Sequence, residues 1–394
     1  MAAARTLLLI LAGGAGGRLE LLTRDRAKPA VPYGGMFRLI DFPLSNAANS
    51  GLSDVWVIQQ FNPVSLSGHL SNGRPWDLDR TQGGLLTLQP HPGNDRGGWH
   101  TGTADALWRN IPLLREFDPD ALVVVSADAV YRLDYSDLVA AHRESGAVAT
   151  MVTTRVAAQD AGRYGVVRVQ DGEVRDYTYK PDEAAGDLVS NEVFVFDPKA
   201  VLDELEDLAG EESEDGLADL GTALLPRLVA GGGVREHRFE HYWRDVGTVD
   251  AYWASHMDLL ADPPEFTLYD KSWPIRTQAG DNAPARVAGG ASVVDCLLSP
   301  ESYLAGSAER SVLSPGVVVE AGASVVDSIL LPGAVVRSGA RVERAVLDDG
   351  VEIGSGAMVG GPDAVSLLGR RVQVEADATI KAGSRCPEDG PEQR

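Results

Sequence analysis

A chain of 394 residues with a net charge of −22 is long enough for two or three domains, each with its own core. The acidic excess argues against nucleic acid or an anionic membrane as a partner, and any anionic ligand must be gathered by local cations. The only cysteines, Cys296 and Cys386, lack metal-ligand spacing and read as reduced thiols of a cytoplasmic protein with no zinc site.

The N-terminal run TLLLILAGG has too short an apolar core for a signal peptide and flows into a glycine loop. No apolar stretch approaches the roughly 20 residues that span a bilayer. Leu7 to Leu11 reads as a buried parallel strand, and Gly13, Gly14, Gly16 and Gly17 follow it, then Arg18 and, further on, Lys28. Glycines there let backbone N–H groups close around phosphate oxygens, so the loop reads as a nucleotide-phosphate cradle. It is neither the dinucleotide fingerprint, which needs glycine at Leu19, nor the Walker loop, which needs Gly-Lys-Ser/Thr where the chain has Gly-Arg-Leu.

Strand-like runs at Val55 to Gln59, Ala121 to Ser126, Ala147 to Thr153 and Glu192 to Phe196 alternate with helical ones. The latter are Asp105 to Arg115, Tyr135 to Glu144, Asp197 to Leu208 and Thr248 to Leu260. This predicts an α/β domain with a mostly parallel, Rossmann-like sheet and ligands at the carboxyl ends of its strands. Residues 71 to 98 read as a long loop, and the acidic run Asp203 to Asp219 as a solvated face without chemistry. Prolines 263, 264, 274 and 284 mark residues 261–285 as a linker.

Beyond it the period changes. Leu313, Val319, Val325, Leu331, Val336, Val342, Leu347, Ile353 and Val359 recur every five or six residues with Gly, Ala and Ser between them. That pattern predicts a left-handed parallel β-helix of hexapeptide repeats, whose role is stacking and assembly. The expected division is 1–260 catalytic, 261–285 linker, 286–385 β-helix and 386–394 flexible tail.

The order G-G-x-G-x-R-L, L-T and A-K-P-A-V resembles sugar-1-phosphate nucleotidyltransferases. The next segment, F-R-L-I-D-F-P-L-S-N, resembles the glucose-1-phosphate adenylyltransferase (ADP-glucose pyrophosphorylase) family in particular. The resemblance implies transfer of adenylyl from ATP to glucose 1-phosphate, with Mg²⁺ as cofactor. It assigns Arg18 to the β- and γ-phosphates and Lys28 to the nucleotide phosphates. Asp128, after VVVSA, resembles the family's strand-end metal ligand, and Asp245 in YWRDVGT its partner. Standing alone, an aspartate at a strand end is more often a cap or turn residue.

For the nucleotide, the resemblance points to Gly13, Gly14, Gly16, Gln60, Trp99, Gly102 and Thr103, although Thr103 also reads as a helix cap. For the sugar phosphate it points to Gly165, Tyr179, Lys180, Ser190 and Glu192. Here the chain departs from the family: E-K-P is Tyr179, Lys180, Pro181, and S-M-G-x-Y is Ser190 through Phe194 with Glu192 in place of glycine. A carboxylate lost at 179 and gained at 192 reads as one relocated group, and it leaves another hexose 1-phosphate, such as an amino sugar, as the alternative substrate. The other alternative is a weakly catalytic regulatory subunit. The expected assembly is a homotetramer, or a hetero-oligomer with a paralogue. Small anionic effectors are expected too, although uncharged Met36 stands where some relatives place an activator-binding lysine.

Overall fold

Leu7, Leu8, Leu9 and Ile10 are all fully buried, as an unbroken apolar run must be when its strand has neighbours on both edges and both faces covered. They lie in Thr6–Ala12, an interior strand of a nine-stranded sheet in a computed structural model. Residues 5–90, 98–211, 217–280 and 282–387 are described. Two compact units divide the chain: Met1–Gly14, Phe42–Ala127 and Tyr131–Trp243 form the first, and Ala15–Asp41, Asp128–Val130 and Arg244–Arg394 the second.

In the first unit the sheet order is Gly84–Leu88, Asp54–Gln59, Thr6–Ala12, Ala121–Ser126, Leu188–Phe196, Ala149–Arg155, Val234–Arg238, Glu173–Tyr179 and Gly165–Gln170. The first four strands are mutually parallel. Leu188–Phe196 then runs antiparallel to both its neighbours, and Glu173–Tyr179 does likewise. The α/β class is as expected, but the sheet is mixed. Periodicity reports which faces are buried and carries no information on strand direction.

Two further differences have local causes. The run Asp105 to Arg115 is two helices, Thr103–Arg109 and Ile111–Phe117, meeting at Asn110. Pro112 in the first turn of the second helix has no N–H to continue the first one's ladder. The loop expected over residues 71–98 contains the edge strand Gly84–Leu88 and buries Trp76 completely; residues 91–97 of it lie outside the described residues. The acidic run is helical to Glu211, and residues 212–216 are likewise outside.

In the second unit three all-parallel six-stranded sheets make a left-handed β-helix, and all nine apolar residues named for its repeat are buried. The in-register column Ala308, Val325, Val342, Val359 fills the interior of one sheet. Val293, the residue below it in the first turn, is 39% exposed because no earlier turn covers it. Residues 261–280 hold no helix or strand, yet Phe266, Leu268 and Ile275 are buried, so this stretch is packed. Of the expected tail, residues 388–394 lie outside the described residues.

Candidate active site

In the second unit the segment Ala15–Asp41 carries the basic groups. Gly16 adopts φ +69, and a Cβ there would lie 2.9 Å from Lys28 Cβ and from Thr23 Cγ2, so only glycine lets the loop close on the lysine stem. Thr23 Oγ1 donates to the Gly16 carbonyl at 2.9 Å. These contacts bury Lys28 and aim its ammonium at two carboxylates: Nζ is 2.6 Å from Asp128 Oδ2 and 3.9 Å from Asp245 Oδ1. Val246 N donates to the Asp128 carbonyl at 3.1 Å, which holds the two aspartate-bearing segments side by side. A Cβ on Gly247 would meet Asp245 Oδ2 at 2.8 Å and Arg18 Nη2 at 3.4 Å, so Arg18 joins the same cluster. Arg18, Lys28, Asp128 and Asp245 are therefore assembled in one unit, with hard oxygen donors and two cations converging. Among the described residues no group of three or more metal-ligating side chains occurs.

In the first unit Gly13 follows the strand Thr6–Ala12, and a Cβ there would touch Gln60 Cβ at 3.4 Å; Gly14 faces open space. Gln60 spends its amide on one backbone: Nε2 donates to the His100 carbonyl at 2.9 Å, and Oε1 accepts from His100 N at 2.7 Å. It thus fixes the loop bearing Trp99, which is 62% exposed and stacks on Phe61 with centroids 5.9 Å apart.

Asp219, a residue the sequence reading left in a solvated run, closes the start of the next helix. Its Oδ1 accepts from Thr103 N at 3.1 Å, and Thr103 Oγ1 accepts from Leu220 N at 2.8 Å. Gly102 is required here because a Cβ would overlap the backbone of Ala218. The loop after Leu217 also packs on Tyr179, since a Cβ on Gly221 would overlap the Tyr179 ring. Tyr179 OH accepts from Lys180 Nζ at 2.7 Å, and the ammonium lies 4.4 Å from the ring centroid. Gly165 faces Tyr177 so closely that a Cβ would lie 2.5 Å from its hydroxyl.

Glu192 occupies a register shift between Ser190 and Phe194 with φ +61, and its N–H donates to Ser190 Oγ at 3.2 Å. Such a bulge re-aims a side chain; a non-glycine residue at positive φ costs about 1 kcal/mol. Burial raises the Tyr177 phenol well above its ordinary value, and the charges of Glu192, Tyr179 and Asp219 push it the same way. The Glu192 carboxylate is thus electrostatically coupled to Tyr177. Trp243 of YWRDVGT packs edge-on against Tyr164, and its buried indole N–H has no hydrogen-bond partner among the described residues. Asp219 ends an acidic run whose composition reads as surface, and the only sequence signal at Trp243 is its place in the YWRDVGT segment.

Comparison with known proteins matches residues 7–262 to a nucleotidyl transferase family model and residues 284–366 to one described as a GlmU-like C-terminal hexapeptide. A glucose-1-phosphate adenylyltransferase of Clostridium novyi is 40% identical over 377 residues, 95% of this chain and 98% of the relative. Those of Thermomicrobium roseum and Acetivibrio thermocellus are 43% and 37% identical over 296 and 321 residues. They cover 74% and 81% of this chain, and 68% and 75% of the relatives.

Proposed function

Since the chain belongs to the glucose-1-phosphate adenylyltransferase family of nucleotidyltransferases, we propose that it converts ATP and α-D-glucose 1-phosphate into ADP-glucose and pyrophosphate, supplying glycogen or another α-glucan. A phosphate oxygen of the sugar attacks the α-phosphorus of ATP. The bond from that phosphorus to the α–β bridging oxygen breaks, and pyrophosphate leaves with the electron pair. Both reactants are anions, so the protein neutralises charge and aligns the attack, and no protein nucleophile is needed.

The observation that carries this reading is the convergence of Lys28 on Asp128 and Asp245 beside Arg18. Arg18 takes the β- and γ-phosphates and Lys28 the nucleotide phosphates, with Gly13, Gly14 and Gly16 lining the cradle. Gln60, Trp99, Gly102 and Thr103 serve the base. Gly165, Tyr179, Lys180, Ser190 and Glu192 serve the sugar phosphate. Asp128 and Asp245 would hold Mg²⁺: they already converge on one cation, the Lys28 ammonium, and phosphate oxygens and water complete a hard-oxygen donor set. The ion, when bound, supplies positive charge against the triphosphate.

Residues 1–260 form the catalytic domain of this reading, joined through 261–285 to an assembly domain at 286–385, in a cytoplasmic enzyme. Family resemblance points to a homotetramer, a paralogue being the alternative partner, and the exposed Val287, Val293 and Val294 of the first β-helix turn offer apolar surface for assembly. Small anions are the expected effectors. A second substrate reading, an amino-sugar 1-phosphate, draws on the Glu192 carboxylate coupled to Tyr177, which could pair with an ammonium.

The test is pyrophosphate release with Mg²⁺ across a panel of nucleoside triphosphates and sugar 1-phosphates, run with Asp128→Asn and Asp245→Asn. ATP with glucose 1-phosphate should be preferred, and each folded variant should turn over about a hundredfold more slowly. Near-normal turnover in either variant removes that residue from the site, and preference for another sugar replaces the substrate assignment.

A further inference from the structure

The two cations assigned to phosphate lie in a segment, Ala15–Asp41, that shares a compact unit with the β-helix, and each has a β-helix anchor two residues away. Next to Arg18, Glu20 stands at φ +53 inside a kinked turn, a strained conformation for a non-glycine residue. Its carboxylate is bound by Arg385 of the last β-helix turn. The same guanidinium is fastened from behind, donating to the Val365 carbonyl at 2.7 Å. Leu21 packs onto Gly369, where a Cβ would come 3.4 Å from the Leu21 side chain.

Next to Lys28, Arg26 is buried and its Nη2 lies 2.6 Å from Asp348 Oδ1 and 3.2 Å from Asp349 Oδ2. Asp348 is fully buried. A buried pair of this kind gives little net stability, but removing one partner leaves a buried charge uncompensated, so Arg26 is held where its carboxylates are. Both anchors join charged groups far apart in sequence, and in the chain both lie between the two functional cations, each two residues from one of them.

We infer that Arg385 and the Asp348/Asp349 pair are positioning residues for catalysis, holding Arg18 and Lys28 in register for the triphosphate through Glu20 and Arg26. The inference rests on the assignment of Arg18 and Lys28 to phosphate given above. The β-helix is then a scaffold of the reacting site as well as an assembly module. A cation displaced by an ångström or so loses most of its value at a developing charge, on the order of a hundredfold in rate.

The experiment uses the full chain and compares Arg385→Glu, Glu20→Arg and the double charge swap, with Arg26→Lys for the second anchor and Arg18→Ala and Lys28→Ala as references. Melting temperature and light scattering report fold and assembly; pyrophosphate release gives kcat and KM for ATP per folded molecule. Glu20 and Arg385 are partly solvated, so these variants are expected to fold. Arg385→Glu should lower kcat/KM for ATP at least tenfold with assembly intact, and the swap should recover most of the loss, which a purely structural role would not produce. Arg26→Lys keeps the charge but is shorter than the side chain whose Nη2 reaches both carboxylates, and should lower kcat without unfolding the chain. Normal kinetics in Arg385→Glu and Arg26→Lys, or a swap that restores nothing, overturns the inference. If Arg18→Ala and Lys28→Ala are themselves fully active, the functional assignment fails; if they are inactive while the anchor variants are normal, the inference alone fails.

Discussion

Acid should loosen the second unit through one histidine. His256 is fully buried between Tyr33 and Tyr252, with ring centroids 4.4 and 4.5 Å away. Its Nε2 accepts from Gly34 N at 3.0 Å, and Nδ1 donates to the Tyr252 carbonyl at 2.8 Å. That pair of bonds demands the neutral ring with its proton on Nδ1. Burial, only partly offset by the Tyr252 carbonyl, lowers the pKa from 6.5 to about 4. A proton added to Nε2 would face the Gly34 N–H and leave both donors opposed. The unfolded chain binds this proton from pH 6.5 downward and the folded chain only near pH 4, so stability is lost as pH falls through that window. The difference of roughly 2.5 pKa units corresponds to about 3 kcal/mol at full protonation of the unfolded state. The assay is denaturant unfolding at pH 7 and pH 4.5 for the unsubstituted chain and for His256→Gln, whose amide oxygen can accept from Gly34 at either pH. The unsubstituted chain should lose more stability between the two pH values, by about 2–3 kcal/mol. Identical pH dependence in the two proteins would refute the reasoning.

Glu192→Gly should relieve the positive φ and stabilise the chain by about 1 kcal/mol, while raising KM for the sugar phosphate more than for ATP; a melting scan beside steady-state kinetics checks both. Val293→Asp places a charge on the uncovered first turn of the β-helix and should shift the oligomer toward smaller species in light scattering, with the melting temperature little changed because the site is already exposed.

Much of the architecture was legible in the residues themselves. The glycine loop after the first strand was legible from local chemistry, and at Gly16, with positive φ and close to Lys28 and Thr23, only a residue without Cβ fits. The β-helix was equally readable, because one buried apolar residue every five or six positions admits few other folds. The sites of cation and carboxylate were legible only through resemblance of short motifs, since nothing in the spacing of Lys28 and Asp128, 100 residues apart, announces a 2.6 Å contact. Tertiary structure decided the rest. It set the direction of Leu188–Phe196 and the bulge that carries Glu192, and it spent the Gln60 amide on His100. It also drew Asp219 out of an acidic run to cap Thr103, and it tied Glu20 and Arg26 to Arg385, Asp348 and Asp349. The physical reason is common to all of these: periodicity records which face of an element is dry, whereas strand direction, side-chain hydrogen bonds and ion pairs depend on which distant segment closes over that face.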